Sequence, residues 1–208
     1  MKILIADDHL MTIEGYIALL EREGLSFSAF KALNCQEAYR FITSVSHLNI
    51  AILDYQLPEY KEKEIFSGVD LALLIKEYHP DCKIIMITAY QEATIIYDIY
   101  RKGQPDALII KTDISYTNFK ECLGYDNQYL SVTAQKAVAS VIDNQRLIND
   151  TNRQILFYLK QGFKVNELSE HLLMSTSGIQ KRITKMKQLF NVTDVQSLVK
   201  EAVKRGFI

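Results

Sequence analysis

The sequence predicts an α/β domain, built as a doubly wound parallel sheet of five strands, followed by a second, smaller all-α domain. Two observations predict the first domain: short runs of consecutive apolar residues recur along residues 1–124, and segments with apolar residues at helical spacing separate them. Runs of this kind are typical of strands buried on both faces. A third observation predicts the second domain, because from residue 150 onwards the apolar residues recur at helical spacing alone.

Length and composition set the broad class of the protein. The chain has 208 residues, 48% of them hydrophobic, with 8 Gly and 3 Pro, which excludes disordered and collagen-like classes. One large or two small domains can each bury a core at this length. Three Cys without a C-x-x-C pair do not support a disulfide framework or a zinc site. We expect a cytoplasmic protein with no membrane contact, because no apolar run approaches the ~20 residues of a membrane span.

The charges are divided unevenly along the chain. The whole sequence has 24 Lys and Arg against 25 Asp and Glu, for a formal net charge of −1. Residues 150–208 hold ten basic and five acidic side chains and carry +5, so residues 1–149 carry −6. An asymmetry of this kind favours a polyanion as the partner of the basic segment.

The five predicted strands follow the apolar runs in order, the second run being the weakest. The runs are residues 3–6, 27–30, 50–53, 84–87 and 107–110. Apolar residues at helical spacing over 13–20 predict a helix between the first two strands, and a further helix opens near Ser67-Gly68. Alternation of strand and helix predicts right-handed crossovers and a parallel sheet.

Polar side chains follow these strands, at the points where the strands end. The side chains are Asp7 and Asp8 after the first run, Asp54 after the third, Thr88 after the fourth and Lys111 after the fifth. Ligand sites of open parallel sheets form beyond the carboxyl ends of the strands, so we expect these groups to converge. A set of oxygen ligands with no His or Cys among them suits Mg²⁺. A carboxylate that lies next to the cation and is flanked by a lysine and a hydroxyl is a candidate nucleophile, which would form an acyl phosphate.

The motifs Asp7-Asp8-His9, Asp54 followed by Leu57-Pro58, Thr88-Ala89 and Lys111 resemble the receiver domain of bacterial two-component response regulators, over residues 1–124. The resemblance implies a flavodoxin-like sheet and a sensor histidine kinase as the partner that phosphorylates the protein.

The same resemblance implies a role for each site residue. It makes Asp54 the phosphoacceptor, and it makes Thr88 and Lys111 the switch residues that bind the phosphoryl group. The implied Mg²⁺ ligands are Asp7, acting through a bound water, Asp8, Asp54 and the backbone carbonyl of Gln56. We expect His9 to have a rim or packing role.

Two departures from the receiver pattern stand out. Leu108 occupies the position at which the family often has a rotating Tyr or Phe, so aromatic coupling would be muted or carried elsewhere. The segment from Pro58 to Gly68 is longer than in the family and includes a charged insertion, residues 59–66. It is interpreted either as a tolerated surface loop or as a segment that shapes kinase docking or phosphoryl lifetime.

The segment 125–149 is predicted as a partly helical linker, with a turn at 126–128, and 150–208 as a four-helix domain whose second and third helices form a helix-turn-helix. Gly162-Phe163, residues 166–172 and residues 175–182 resemble the NarL/LuxR-type DNA-binding domain, with departures at Gly178, Gln180 and Arg182. Residues 175–190 contain four basic side chains and no acid. The predicted contacts with double-stranded DNA are Ser177, Gln180, Lys181, Thr184 and Lys185.

These observations predict a phosphorylation-controlled transcription regulator that is not an enzyme and is a homodimer when active, with the fourth C-terminal helix as a dimer contact. The alternative is a receiver whose helical domain binds a protein instead of DNA. A third class, a phosphatase of related topology that uses Asp54, needs a second catalytic Asp at the position of Gln56.

Overall fold

The computed structural model describes residues 1–124, 128–147, 149–204 and 206–208. The chain divides into two compact units, Met1–Ala139 and Ser140–Ile208, and the division falls within a helix. Each unit has its own buried apolar cluster. None of the helices in the described ranges combines the length and the apolar character that spanning a bilayer requires.

The first unit contains a parallel sheet in the order β2-β1-β3-β4-β5-β6. Its strands are β1 Lys2–Ala6, β2 Ser28–Ala32, β3 Ile50–Asp54, β4 Lys83–Thr88, β5 Ala107–Ile110 and β6 Tyr129–Leu130. The order of the first five strands confirms the predicted doubly wound, flavodoxin-like fold, in which the winding reverses between β1 and β3.

The sixth strand corrects the prediction of five. β6 has two residues, Tyr129 and Leu130, which pair in parallel with Ala107 and Leu108 of β5. Two residues are too few to show a periodic pattern, and they lie in the segment predicted as a linker. The turn predicted at 126–128 lies outside the described residues for its first two positions.

Helices connect the strands of the first unit. They are α1 Leu10–Arg22, α2 Cys35–Ser44, α3 Gly68–Tyr78, α4 Ala93–Asp98 and α5 Tyr116–Gly124. A π-helical segment, Ile99–Gly103, continues α4. After the last strand, α6 Val132–Leu147 begins in the first unit and continues into the second.

One face of the sheet is built from alternate residues of its strands. These are Ile3 and Ile5 of β1, Ile50 and Ile52 of β3, Ile85 and Ile87 of β4, and Ala107 and Ile109 of β5, packed with Ile13, Tyr16 and Leu20 of α1 and Phe119 and Cys122 of α5. Because side chains alternate along a strand, Asp7, Asp54 and Lys111 continue the rows of β1, β3 and β5 on this same face. The fold therefore delivers three charged groups to one end of an apolar layer.

The start of α6 is tied to the residues that follow β5. The carboxylate of Asp113 accepts hydrogen bonds from the backbone N–H and the hydroxyl of Thr133, both at 2.8 Å. The Ser131 hydroxyl accepts a hydrogen bond from the Ile110 backbone N–H at 3.2 Å. The start of the helix that leads into the second unit is therefore held by Asp113, which lies two residues in sequence beyond Lys111.

The second unit is helical. Its helices are α7 Asp150–Lys160, α8 Leu168–Leu172, α9 Thr176–Phe190 and α10 Val195–Lys204. Ser175 caps α9, since its hydroxyl accepts a hydrogen bond from the Gly178 N–H at 3.2 Å.

Candidate functional site

Lys111 joins the carboxyl ends of β1 and β3. Its Nζ lies 2.8 Å from Oδ2 of Asp7 and 2.6 Å from Oδ2 of Asp54. Asp7 is fully buried and Asp54 is 7% exposed. The structure thus brings together three of the predicted site residues that lie as much as 104 residues apart in sequence.

The charges of this group perturb one another. Burial raises the pKa of Asp54 above its usual value, with a smaller contribution in the same direction from the charge of Asp7, and the ion pair with Lys111 only partly offsets them. Burial alone would lower the pKa of Lys111, but its hydrogen bonds to Asp54 and Asp7 and their charges outweigh burial and raise it. Ionised Asp54 is therefore a poorly solvated carboxylate that needs a cation beside it.

Asp8 and His9 complete the acidic end of the site. The Nδ1 of His9 lies 2.7 Å from Oδ1 of Asp8 and 3.4 Å from Oδ1 of Asp7. The His9 backbone N–H donates to the same oxygen of Asp7 at 2.9 Å. The His9 side chain is 70% exposed, which is a rim position, but it also contacts both acids.

These residues can hold a divalent cation. Asp7, Asp8 and His9 can each direct one ligand atom so that the three atoms lie within 4.8 Å of one another. Carboxylate oxygens are the ligands that Mg²⁺ prefers, and a buried carboxylate pair is relieved by a cation. The donor set fits the expected metal at Asp7 and Asp8, with His9 as an additional donor that the sequence argument had placed outside the ligand set.

A short polar chain forms the other wall of the site. The Gln56 backbone N–H donates to Oδ1 of Asp54 at 3.3 Å, and the Tyr90 hydroxyl donates to Oε1 of Gln56 at 3.0 Å. Thr88 is fully buried, and its hydroxyl accepts a hydrogen bond from the Tyr90 backbone N–H at 3.2 Å. Sequence reasoning missed Tyr90, for which the available signal was an aromatic residue two positions after Thr88.

Together the two walls enclose a cavity of about 170 Å³. It is lined by Asp8, His9, Asp54, Gln56, Ala89, Tyr90 and Lys111. A phosphoryl group and a hydrated cation are small enough for this space. Leu108 is fully buried in β5 and does not line the cavity.

The insertion at 59–66 is a folded hairpin. Tyr60 and Ile65 form an antiparallel bridge around a short 3₁₀ turn, Lys61–Lys63. Ile65 is buried, and the Tyr60 ring packs edge-on against Tyr39 of α2, with centroids 5.6 Å apart. The insertion is therefore packed against the domain through apolar and aromatic contacts.

A second candidate site lies on α9, in the second unit. All five predicted DNA contacts are exposed, and they line a cleft of about 860 Å³ together with Asp143, Asn149, Asn152, Gly178 and Arg182. The five contacts are Ser177, Gln180, Lys181, Thr184 and Lys185. The helix therefore presents one continuous polar face with two of its lysines at the centre.

Two basic side chains of α9 have structural partners instead. Arg182 donates through Nη1 to Oδ1 of Asn152 in α7 at 3.0 Å, and Asn152 is 2% exposed. Lys187 donates to the Thr193 carbonyl at 3.0 Å, beyond the C-terminal end of the helix. These contacts fix α9 against its neighbours, and Arg182 and Lys187 are half-buried, whereas the five predicted contacts are exposed.

Comparison with known proteins gives a consistent result. The profile of a family described as the response regulator receiver domain matches residues 3–113. The oxygen regulatory protein NreC of Staphylococcus carnosus is 25% identical, and the match covers 100% of this chain and 99% of that protein. NreC of Staphylococcus epidermidis RP62A is 23% identical, and that match also covers 100% of this chain and 99% of the relative.

Solved structures share the fold over both units. The RcsB response regulator of Salmonella typhimurium matches with a TM-score of 0.63 and 16% identity, over 98% of this chain and 99% of that one. A structure described as the complex of the two-component response regulator RcsB with DNA matches with a TM-score of 0.58 and 17% identity, over 98% of each chain. At these identities the likeness shows the fold alone.

Proposed function

Because the chain belongs to the response regulator receiver domain family, we propose that it accepts a phosphoryl group on Asp54 from a sensor histidine kinase and acts as a DNA-binding transcription regulator of a two-component system. The observation that carries the first part is the buried Asp54 carboxylate, held 2.6 Å from Lys111 at the mouth of a cavity of phosphoryl size. We place the protein in the cytoplasm, where its kinase would present a phosphohistidine.

The transfer is a substitution at phosphorus. A carboxylate oxygen of Asp54 attacks the phosphorus atom and forms an acyl phosphate, while the P–N bond of the phosphohistidine breaks and the imidazole nitrogen leaves and takes up a proton. Lys111 lies close enough to follow the new phosphoryl oxygens and balance their charge. The Thr88 hydroxyl would lie beside these oxygens. The Gln56–Tyr90 hydrogen bond forms part of the site wall, and a change in its geometry on phosphorylation would transmit the signal to the surface of the unit.

Mg²⁺ is the cation proposed for the acidic end of the site. Asp8 and Asp54 would hold it with the backbone carbonyl of Gln56, and Asp7 would act through a bound water. When bound, the ion neutralises phosphoryl charge during transfer. Before phosphorylation, Lys111 and the His9 backbone N–H are the partners of Asp7, and these fix the orientation of its carboxylate.

The second unit is proposed as the DNA-binding output, of the NarL/LuxR type. The exposed face of α9 has Lys181 and Lys185 but no acidic side chain, and the preceding α8 gives the pair helix-turn-helix proportions. NreC is named as an oxygen regulatory protein, and RcsB is described in complex with DNA. A two-fold dimer of the active form would match a palindromic site.

Labelling by a small phosphodonor tests the receiver proposal. Wild-type protein should gain one phosphoryl group, by intact mass, when acetyl phosphate and Mg²⁺ are both present. Asp54→Asn should gain none, and Asp98→Asn, which removes an exposed acid of α4, should be labelled like wild type. Unlabelled wild type, or labelled Asp54→Asn, would contradict the proposed phosphoacceptor.

Selection from random duplexes, followed by a salt titration, tests the output proposal. Each neutralised phosphate adds about −0.9 to the slope of log K against log salt, so Lys181→Ala or Lys185→Ala should flatten the slope by about one unit each. Lys160→Ala, at the end of α7, should leave the slope unchanged. Failure to select any duplex from a labelled protein would favour the alternative output, a helical domain that binds a protein.

A further inference from the structure

Tyr16 places a buried hydroxyl in the apolar layer whose strands end in the charged residues of the site. It lies on the inner face of α1 and is 5% exposed. Its ring is parallel to that of Phe119 of α5, with centroids 6.3 Å apart. Both rings pack on the sheet face whose rows end in Asp7, Asp54 and Lys111.

The hydroxyl of Tyr16 has no hydrogen-bond partner among the residues that the structure describes. Buried polar atoms of native proteins are nearly always bonded, so an unpaired donor at this depth calls for an explanation. An apolar residue would fill the same place in the core without this cost. Long side chains of a helix point back towards its N-terminus, and α1 begins at Leu10, just after the acidic residues 7–8, so this direction supplies a reason for a tyrosine here.

The hydroxyl remains a donor at physiological pH. Burial raises the pKa of Tyr16 far above its usual value, and the negative charges of Asp7 and Asp54 act in the same direction. Tyr16 therefore lies within the electrostatic reach of both acids while both are held by Lys111. A neutral donor on the same face of the sheet is available to a carboxylate there that loses its cation.

We propose that Tyr16 is a positioning residue of the phosphorylated state: when Lys111 follows the phosphoryl group on Asp54, the Tyr16 hydroxyl donates, directly or through one water, to the carboxylate of Asp7. Asp7 is fully buried and would otherwise lose the partner that now lies 2.8 Å from its Oδ2. The hydroxyl that is unpaired before phosphorylation becomes paired after it, so it favours the phosphorylated form. This inference rests on the proposed phosphorylation of Asp54.

The test compares wild type with Tyr16→Phe, a change that removes only the hydroxyl. Beryllofluoride serves as the phosphoryl analogue, and its affinity in the presence of Mg²⁺ is measured from the rise it produces in the urea midpoint of the full chain. Tyr16→Phe should bind beryllofluoride at least fivefold more weakly than wild type. Without the analogue its midpoint should equal or exceed that of wild type. Tyr78→Phe, an exposed residue of α3, serves as the control and should match wild type in both measurements.

Each outcome decides a separate claim. If wild type and Tyr16→Phe bind beryllofluoride equally, the positioning role is overturned while the proposed function stands. If Tyr16→Phe has a lower urea midpoint than wild type by the same amount without and with beryllofluoride, the hydroxyl is already paired before phosphorylation. That result also overturns the inference. If wild type itself does not respond to beryllofluoride, both the inference and the proposed phosphorylation fail.

Discussion

Gly68, the first residue of α3, lies against the backbone of Asp54 so closely that a Cβ atom at Gly68 would be 2.0 Å from the Asp54 carbonyl oxygen and 2.9 Å from its carbonyl carbon. The Gly68 backbone N–H also donates to the Tyr55 carbonyl at 2.9 Å. The end of β3 and the start of α3 are therefore held at a separation that only glycine permits. The long insertion before Gly68 leaves this contact intact.

Gly68→Ala should displace Asp54 and destabilise the first unit. Backbone atoms cannot yield as a flexible side chain would, so α3 or the end of β3 must move, at a cost of roughly 3 kcal/mol or more in the free energy of unfolding. Urea unfolding and the rate of labelling by acetyl phosphate measure the two effects. Gly124→Ala, at a position with open space around its Cα, is the control and should change neither. Normal stability and labelling in Gly68→Ala would contradict the close approach.

Asp54→Asn should stabilise the metal-free protein at neutral pH. The folded-state pKa of Asp54 is raised, so ionisation of this carboxyl opposes folding: the opposition is absent below the unfolded pKa of about 3.9 and develops as pH rises through the folded value. The variant should therefore unfold at higher urea than wild type at pH 7, in chelator, and the difference should vanish towards pH 3.5. A variant less stable than wild type at pH 7 would show that the Lys111 pair outweighs burial.

Added Mg²⁺ should stabilise the folded wild-type protein through the acidic end of the site. A ligand that binds only the folded state stabilises it by RT ln(1 + [L]/Kd), about 2.7 kcal/mol at a hundred times Kd. Wild type should gain stability with Mg²⁺ along this curve, whereas Asp8→Asn should gain much less. Glu77→Gln, which removes a carboxylate of α3 away from the site, should respond like wild type. An equal gain in all three proteins would mean that the ion binds elsewhere.

The hydrogen bonds by which Asp113 holds the start of α6 should weaken at acid pH. Burial would raise the pKa of Asp113, but hydrogen bonds from Ser131 and from the N–H and hydroxyl of Thr133 outweigh it and lower the pKa. A carboxyl with a depressed folded-state pKa contributes stability above its unfolded pKa of about 3.9, and this is lost as pH falls through the folded value. Amide exchange at Thr133 should therefore accelerate below about pH 4. In Asp113→Asn it should be faster at pH 7 and lack that acid step, and exchange without an acid step in wild type would contradict this role.

Arg182→Ala should lower the stability of the second unit, unlike substitution of an exposed lysine that is predicted to contact DNA. Loss of the charged hydrogen bond to buried Asn152 should cost about 1.5–3 kcal/mol in unfolding free energy. Lys185→Ala should leave stability within about 0.5 kcal/mol of wild type, as for an exposed substitution. Thermal unfolding of the full chain measures both. Equal stability of the two variants would remove the distinction between the structural and the exposed basic residues of α9.

The sheet and the main site could be predicted from the sequence because each strand is a run of buried residues with a polar residue at its end. That signal identified Asp7, Asp54 and Lys111, which the fold brings within hydrogen-bond distance. It could not find β6, because two half-buried residues carry no period.

Other features depend on tertiary contacts that leave no local pattern. Tyr90 is part of the site because its hydroxyl is hydrogen-bonded to Gln56, 34 residues away in sequence. Arg182 of α9 has a structural partner because its guanidinium is hydrogen-bonded to Asn152, 30 residues away. The spacing of charges along a helix shows which residues share a face, but it does not show which of them have a partner across the core.

The central claim is that phosphorylation of Asp54 controls DNA binding by the second unit. Its most direct test measures the affinity of the full chain for one selected duplex, by fluorescence anisotropy at fixed salt, with and without acetyl phosphate and Mg²⁺. Wild type should bind at least tenfold more tightly after phosphorylation, and Asp54→Asn should show one unchanged affinity in both conditions. Equal affinities of labelled and unlabelled wild type would contradict the account.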